Sequence, residues 1–86
     1  MPELSRFYGI VIKMHYNDHA PPHFHAEYGE DNLAVGITPL TEIVGQLPRR
    51  ARALVMEWAA LHQLELIDSW QRAQAMLPLP KIDPLP

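Results

Sequence analysis

The stretch FYGIVIKMHYNDHAPPHFHAEY, Phe7 to Tyr28, decides the fold of this chain. In its first half Ile10, Ile12 and Met14 alternate with Val11, Lys13 and His15. This period-two pattern, rich in β-branched residues, predicts a strand over about residues 6–16. After NDHAPP the alternation resumes, with Phe24, Ala26 and Tyr28 on one side and His23, His25 and Glu27 on the other, and it predicts a second strand over about 23–28. The even-numbered face is apolar in both halves. Directly opposed residues of an antiparallel hairpin share a face, so the numbers of a facing pair must here sum to an even value. With Asn17 to Pro22 as the loop, Lys13 faces His25, Met14 faces Phe24 and His15 faces His23. A one-residue slip would bury the histidines and expose the apolar side chains, so it is disfavoured.

Outward from this hairpin, Gly29 to Asn32 (GEDN) is a turn signal, and Leu33, Val35 and Ile37 predict a third strand over about 33–37. Thr38-Pro39 breaks it, and a weaker fourth strand is expected over about 42–46. Pro48 suits a first helical position, where a missing N–H costs nothing, and Arg49 to Met76 contains neither Gly nor Pro. At about 100° per residue, Ala51, Leu54, Val55, Trp58 and Leu61 form one stripe, while Leu66, Trp70, Ala73 and Leu77 centre roughly 120° away. One straight helix cannot bury both stripes in one groove. The helical segment over about 48–76 is therefore expected to kink or break near His62 to Leu66. The closing LPLPKIDPLP is proline-rich and predicts an extended tail, with Ile82 available to dock on the body.

The expected fold class is thus α+β: a small antiparallel sheet of three to four strands packed on a long kinked or broken helix. The face carrying Ile10, Ile12, Met14, Phe24 and Tyr28 should meet the stripe of Leu54, Val55, Trp58 and Leu61. Eighty-six residues make one domain. A compact body over about 1–77 and a tail over about 78–86 are expected. Hydrophobic and charged fractions of 48% and 20% are those of a globular chain. The absence of cysteine excludes disulfides, thiolate metal sites and cysteine nucleophiles, and suits a reducing compartment. The segment MPELSRFYG has neither a signal-peptide pattern nor an apolar span of about twenty residues, so a cytoplasmic protein without membrane contact is expected. A formal charge of −3 argues against broad electrostatic binding to nucleic acid.

Four of the five histidines, His15, His19, His23 and His25, fall in this hairpin and its loop. Imidazole is the side chain that titrates nearest neutrality and the commonest metal ligand, so their density marks the candidate site. His15, His23 and His25 share one predicted face with Lys13 and Glu27, while Asn17, Asp18 and His19 occupy a loop stiffened by Pro21-Pro22. Period-two spacing aims His23 and His25 the same way, and with His15 they could hold a divalent metal such as zinc, though Lys13 would repel it. Without a metal, His23 and His25, helped by His15 or His19, could act as general acid and base in phosphodiester cleavage. Lys13, Arg49, Arg50 or Arg52 would supply the stabilising cation. The structural alternative is a rigid polar surface, its loop capped by Asn17, Asp18 and the histidines, and such a surface binds partners well.

SRFYGIVIKMHYNDHAPPHFHAEYGE, LPRRARALVMEWAALHQLEL and the closing KIDPL together resemble a family of small bacterial proteins known as a domain of unknown function. NDHAPPHFHAEYG looks like its signature and EWAALH like its second characteristic stretch. The resemblance implies a compact α+β protein, encoded beside another small gene in a toxin–antitoxin-like pair. It brings no catalytic residues with it. The leading expectation is a binding module whose histidine face engages a partner protein, the product of the adjacent gene, or a nucleic acid. The alternatives are a ribonuclease-like toxin and a divalent-metal-binding protein, and self-association into a homo-oligomer is compatible with each.

Overall fold

A computed structural model describes residues 2–86. Five antiparallel strands, β1 (Glu3–Phe7), β2 (Ile10–Lys13), β3 (His23–Tyr28), β4 (Asp31–Ile37) and β5 (Leu40–Gln46), form one sheet in chain order. Two helices, α1 (Arg49–Leu61) and α2 (Gln63–Gln74), follow. Among the described residues no helix is long and apolar enough to cross a membrane.

The α+β class stands, but the sheet has five strands where three to four were expected. The expected strand over 6–16 is two strands, because Tyr8 (φ 50°) and Gly9 (φ 80°) both take left-handed backbone. Two successive left-handed residues make the tight turn whose twist matches flanking antiparallel strands. The alternation beyond it is real, yet Met14 to Pro22 is loop rather than strand. A bulge at Leu4 lets both Leu4 and Ser5 turn inward.

The β2–β3 register agrees with the parity argument: Val11 faces Glu27, Ile12 faces Ala26 and Lys13 faces His25. The even face is buried accordingly, with Ile10, Ile12, Met14, Phe24 and Ala26 in the core beside Leu33, Val35 and Ile37 of β4. Tyr28, expected in that face, is 40% exposed at the end of β3.

The expected long helix is two helices, parted at His62, whose backbone (φ −120°, ψ 24°) leaves the helical region. The break lets Val55 and Trp58 of α1 and Leu66, Trp70 and Ala73 of α2 all reach the core, which no straight rod could do. Trp58 is its centre, with its ring 5.4 Å from Phe7 and 5.9 Å from Phe24. Leu61, placed in the same stripe by periodicity, lies at the break and is 66% exposed.

The proline-rich tail runs along β1. Ile82 N–H donates to the Leu4 carbonyl at 2.8 Å, and Tyr8 Oη donates to the Pro86 carbonyl at 2.6 Å. Ile82 and Leu85 are buried. The tail therefore covers the β1 edge of the sheet, whereas among the described residues β5 pairs only with β4.

Candidate functional site

The loop from Met14 to Pro22 is held at both ends and in the middle. Asn17, in left-handed backbone (φ 52°) that Asn tolerates better than most residues, donates its N–H to the Ala73 carbonyl at 3.2 Å. Gln74 Nε2 donates to the Asp18 carbonyl at 2.9 Å, and the Pro22 carbonyl accepts from Ile37 N–H at 3.1 Å. The end of α2 and the end of β4 thereby aim this loop across the start of β3.

Asp18 is the centre of the resulting cluster. Its Oδ1 accepts the His19 backbone N–H at 2.8 Å and lies 3.0 Å from His19 Nδ1. Its Oδ2 lies 3.0 Å from His23 Nε2 and 3.8 Å from His25 Nε2. His23 is buried, its ring 5.2 Å from Trp70, and its Nδ1 donates to the Pro21 carbonyl at 2.7 Å. A carbonyl oxygen can only accept, so that bond fixes the proton on Nδ1. Among the described residues His25 Nε2 is buried without a hydrogen-bond partner. His15 meets His25 edge-on, with ring centres 4.5 Å apart.

Burial by itself would raise the Asp18 carboxyl. The His19 N–H and the nearby imidazoles of His23, His19 and His15 outweigh it and hold the group below its ordinary range. Burial pushes His25 down, and the neighbouring His15 and His23 add to the effect more than Asp18 opposes it. The neutral form of the His25 imidazole is therefore favoured, with a buried lone pair or N–H on Nε2.

A cleft of about 470 Å³ opens over these groups. Its histidine wall faces Ile43 and Val44 of β5, with Ala34 between them. Ile43 is the extra residue of a bulge in β5, since Val35 faces Glu42 while Ala34 faces Val44.

The structure gathers His15, Asn17, Asp18, His19, His23 and His25 around one cleft. Lys13 and Glu27 lie on the same sheet face but bond each other at 3.0 Å and do not line it. Arg49, Arg50 and Arg52 stand at the start of α1, also away from the lining, with Arg52 3.4 Å from Glu42. The ligand atoms that converge within 4.8 Å belong to Asp18, His23 and His25, whereas sequence reasoning grouped His15 with the two strand histidines. The bridging position of Asp18 and the apolar wall of β5 were missed. Strand periodicity says nothing about where a loop carboxylate points, and Ile43-Val44 read only as a weak strand. His62 lies elsewhere, stacked on Trp58 and bonded to Glu65 at 2.6 Å.

The model of a family described as Domain of unknown function (DUF4160) matches residues 9–71. No curated protein and no solved structure matches the chain.

Proposed function

The chain belongs to the DUF4160 family, a domain of unknown function, and from its geometry we propose that it is a binding module that takes an extended segment of a partner protein along β5 and the histidine cleft. One observation carries this reading. The tail covers the β1 edge, while the outer side of β5 has no strand beside it among the described residues. Its exposed Ile43 and Val44 form the outer wall of the cleft. A free strand edge presents unpaired N–H and C=O groups, and natural edges are commonly blunted with lysine or proline. β5 contains neither; Glu42 and the bulge at Ile43 are its only such features. An added strand would gain main-chain hydrogen bonds, and its alternate side chains would pack on Ile43 and Val44 at the rim of the cleft, the mode known as strand addition. The product of an adjacent small gene is the partner of choice on the gene-pair resemblance.

Phosphodiester cleavage and nucleic-acid binding are less well supported. Negative charge on the phosphoryl oxygens in the transition state calls for a cation at the site. Lys13 is paired with Glu27, and none of the three arginines lines the cleft.

The test is co-expression with the neighbouring gene product. A stable complex is expected from the native chain, and an Ile43→Glu, Val44→Lys double variant that folds normally should lose it. A complex that survives the double variant would overturn strand addition at β5.

A further inference from the structure

We infer that Asp18, His23 and His25 form a binding site for one divalent cation of zinc type, a reading that goes beyond the partner surface and does not depend on it. The acceptors at this cluster outnumber the donors. His23 Nδ1 spends its proton on the Pro21 carbonyl, so Nε2 of the neutral ring is a lone pair. That lone pair faces a second acceptor, Asp18 Oδ2, at 3.0 Å. The contact is attractive only with a second proton on the ring or with a cation shared between the two groups. A third nitrogen, His25 Nε2, is buried without a hydrogen-bond partner among the described residues and lies 3.8 Å from the same oxygen. Buried polar atoms left unsatisfied in a folded protein call for an explanation such as an ion or water.

The spacing fits a cation. Zinc bonds imidazole nitrogen and carboxylate oxygen at about 2.0–2.2 Å, which sets ligand atoms on a tetrahedron about 3.3–3.6 Å apart. The observed 3.0 and 3.8 Å bracket that separation, and all three ligand atoms lie within 4.8 Å of one another. The hydrogen bond from His23 Nδ1 to a backbone carbonyl is the usual outer support of a metal-bound imidazole, since it fixes the tautomer and the ring plane. Lys13, the charge expected to repel an ion, is neutralised by Glu27 at 3.0 Å. Two imidazoles and one carboxylate supply three ligands and leave a fourth position toward the cleft, where water or a ligand group would complete the shell.

The experiment is calorimetric titration of the full chain with zinc chloride in a buffer that does not bind metal, paired with the visible absorption of added cobalt(II). One ion per chain and tetrahedral cobalt bands are expected. Asp18→Asn and His25→Gln should each weaken zinc at least about tenfold, while His62→Gln, remote from the cluster, should leave it unchanged. Circular dichroism checks that each variant folds, and if one does not, the other decides. Absence of saturable binding at equimolar metal, or binding indifferent to the folded Asp18 or His25 variant, would overturn the site.

Discussion

Trp58 Nε1 donates a hydrogen bond to the Asp83 carbonyl at 2.8 Å, joining residues 25 positions apart. The bond ties the fully buried centre of α1 to the tail, and Ile82 and Leu85 are buried on either side of it. The extended tail thus contributes Ile82, whose docking its sequence made available, and Leu85 to the core. Burying two such side chains contributes about 1.5–3 kcal/mol each.

Ile82→Ala is therefore expected to cost about 2–4 kcal/mol, the range for emptying a buried aliphatic site. Trp58→Phe keeps most of the ring packing but leaves the Asp83 carbonyl unpaired, at about 1–2 kcal/mol. Urea denaturation midpoints at unchanged slope measure both. If Ile82→Ala left the midpoint where it was, the tail would not belong to the folded core.

Gly45 has φ +95°, and a Cβ there would collide with the Asn32 carbonyl oxygen across the ladder. Gly29 is also left-handed (φ +59°), but a Cβ there meets nothing within 4 Å. Gly29→Ala should cost about 1–2 kcal/mol, the conformational penalty alone. Gly45→Ala should cost at least about 1 kcal/mol more, because strand β5 must shift off β4. Equal losses in the two variants would mean that this close approach does not constrain β5.

His25 is depressed by burial and by the neighbouring His15 and His23. A base whose folded value lies below its unfolded one binds fewer protons when folded, so stability falls as pH drops through the ordinary imidazole value of about 6.5. The loss continues until the folded value is passed. Asp18 is also depressed and works in a more acidic window: its contribution is present above the ordinary carboxylate range and disappears as pH falls through the lower folded value. In metal-free buffer the melting temperature should decline between pH 8 and pH 5 more steeply for the native chain than for His25→Gln. Parallel curves would show that His25 does not titrate with folding.

Val44 is 68% exposed on the edge strand. Val44→Lys should change stability by no more than about 0.5 kcal/mol, as surface substitutions do. Thermal melts check this, and the result separates a binding defect at β5 from a folding defect.

Much of the sheet was legible because strand periodicity is local. Ile10, Ile12 and Phe24 alternate with Lys13, His23 and His25, and that alternation, with Asn17 to Pro22 taken as the loop, placed Lys13 opposite His25. It could not show that the first alternating run is cut at Tyr8-Gly9. A two-residue turn occupies so little chain that the apolar pattern looks continuous, and Tyr8 is not a residue whose type announces a left-handed backbone. The helix break was legible from two stripes that no straight axis can bury. The fate of Leu61 was not, since the break itself carries that side chain out to solvent.

By itself, then, the sequence determined the α+β class, the pairing of β2 with β3, the face that carries His23 and His25, and a kink or break near His62 to Leu66. Each of these follows from side-chain spacing along continuous stretches of chain. Only the tertiary structure decided that Asp18 would sit between His23 and His25, that the tail would cover β1, and that β5 would remain the open edge. The physical reason is that these depend on contacts between distant segments, with Asn17 on Ala73, Gln74 on Asp18, Ile82 on Leu4 and Trp58 on Asp83. Such contacts are set by how the helices close over the sheet, and local hydrophobic periodicity carries no record of that closure.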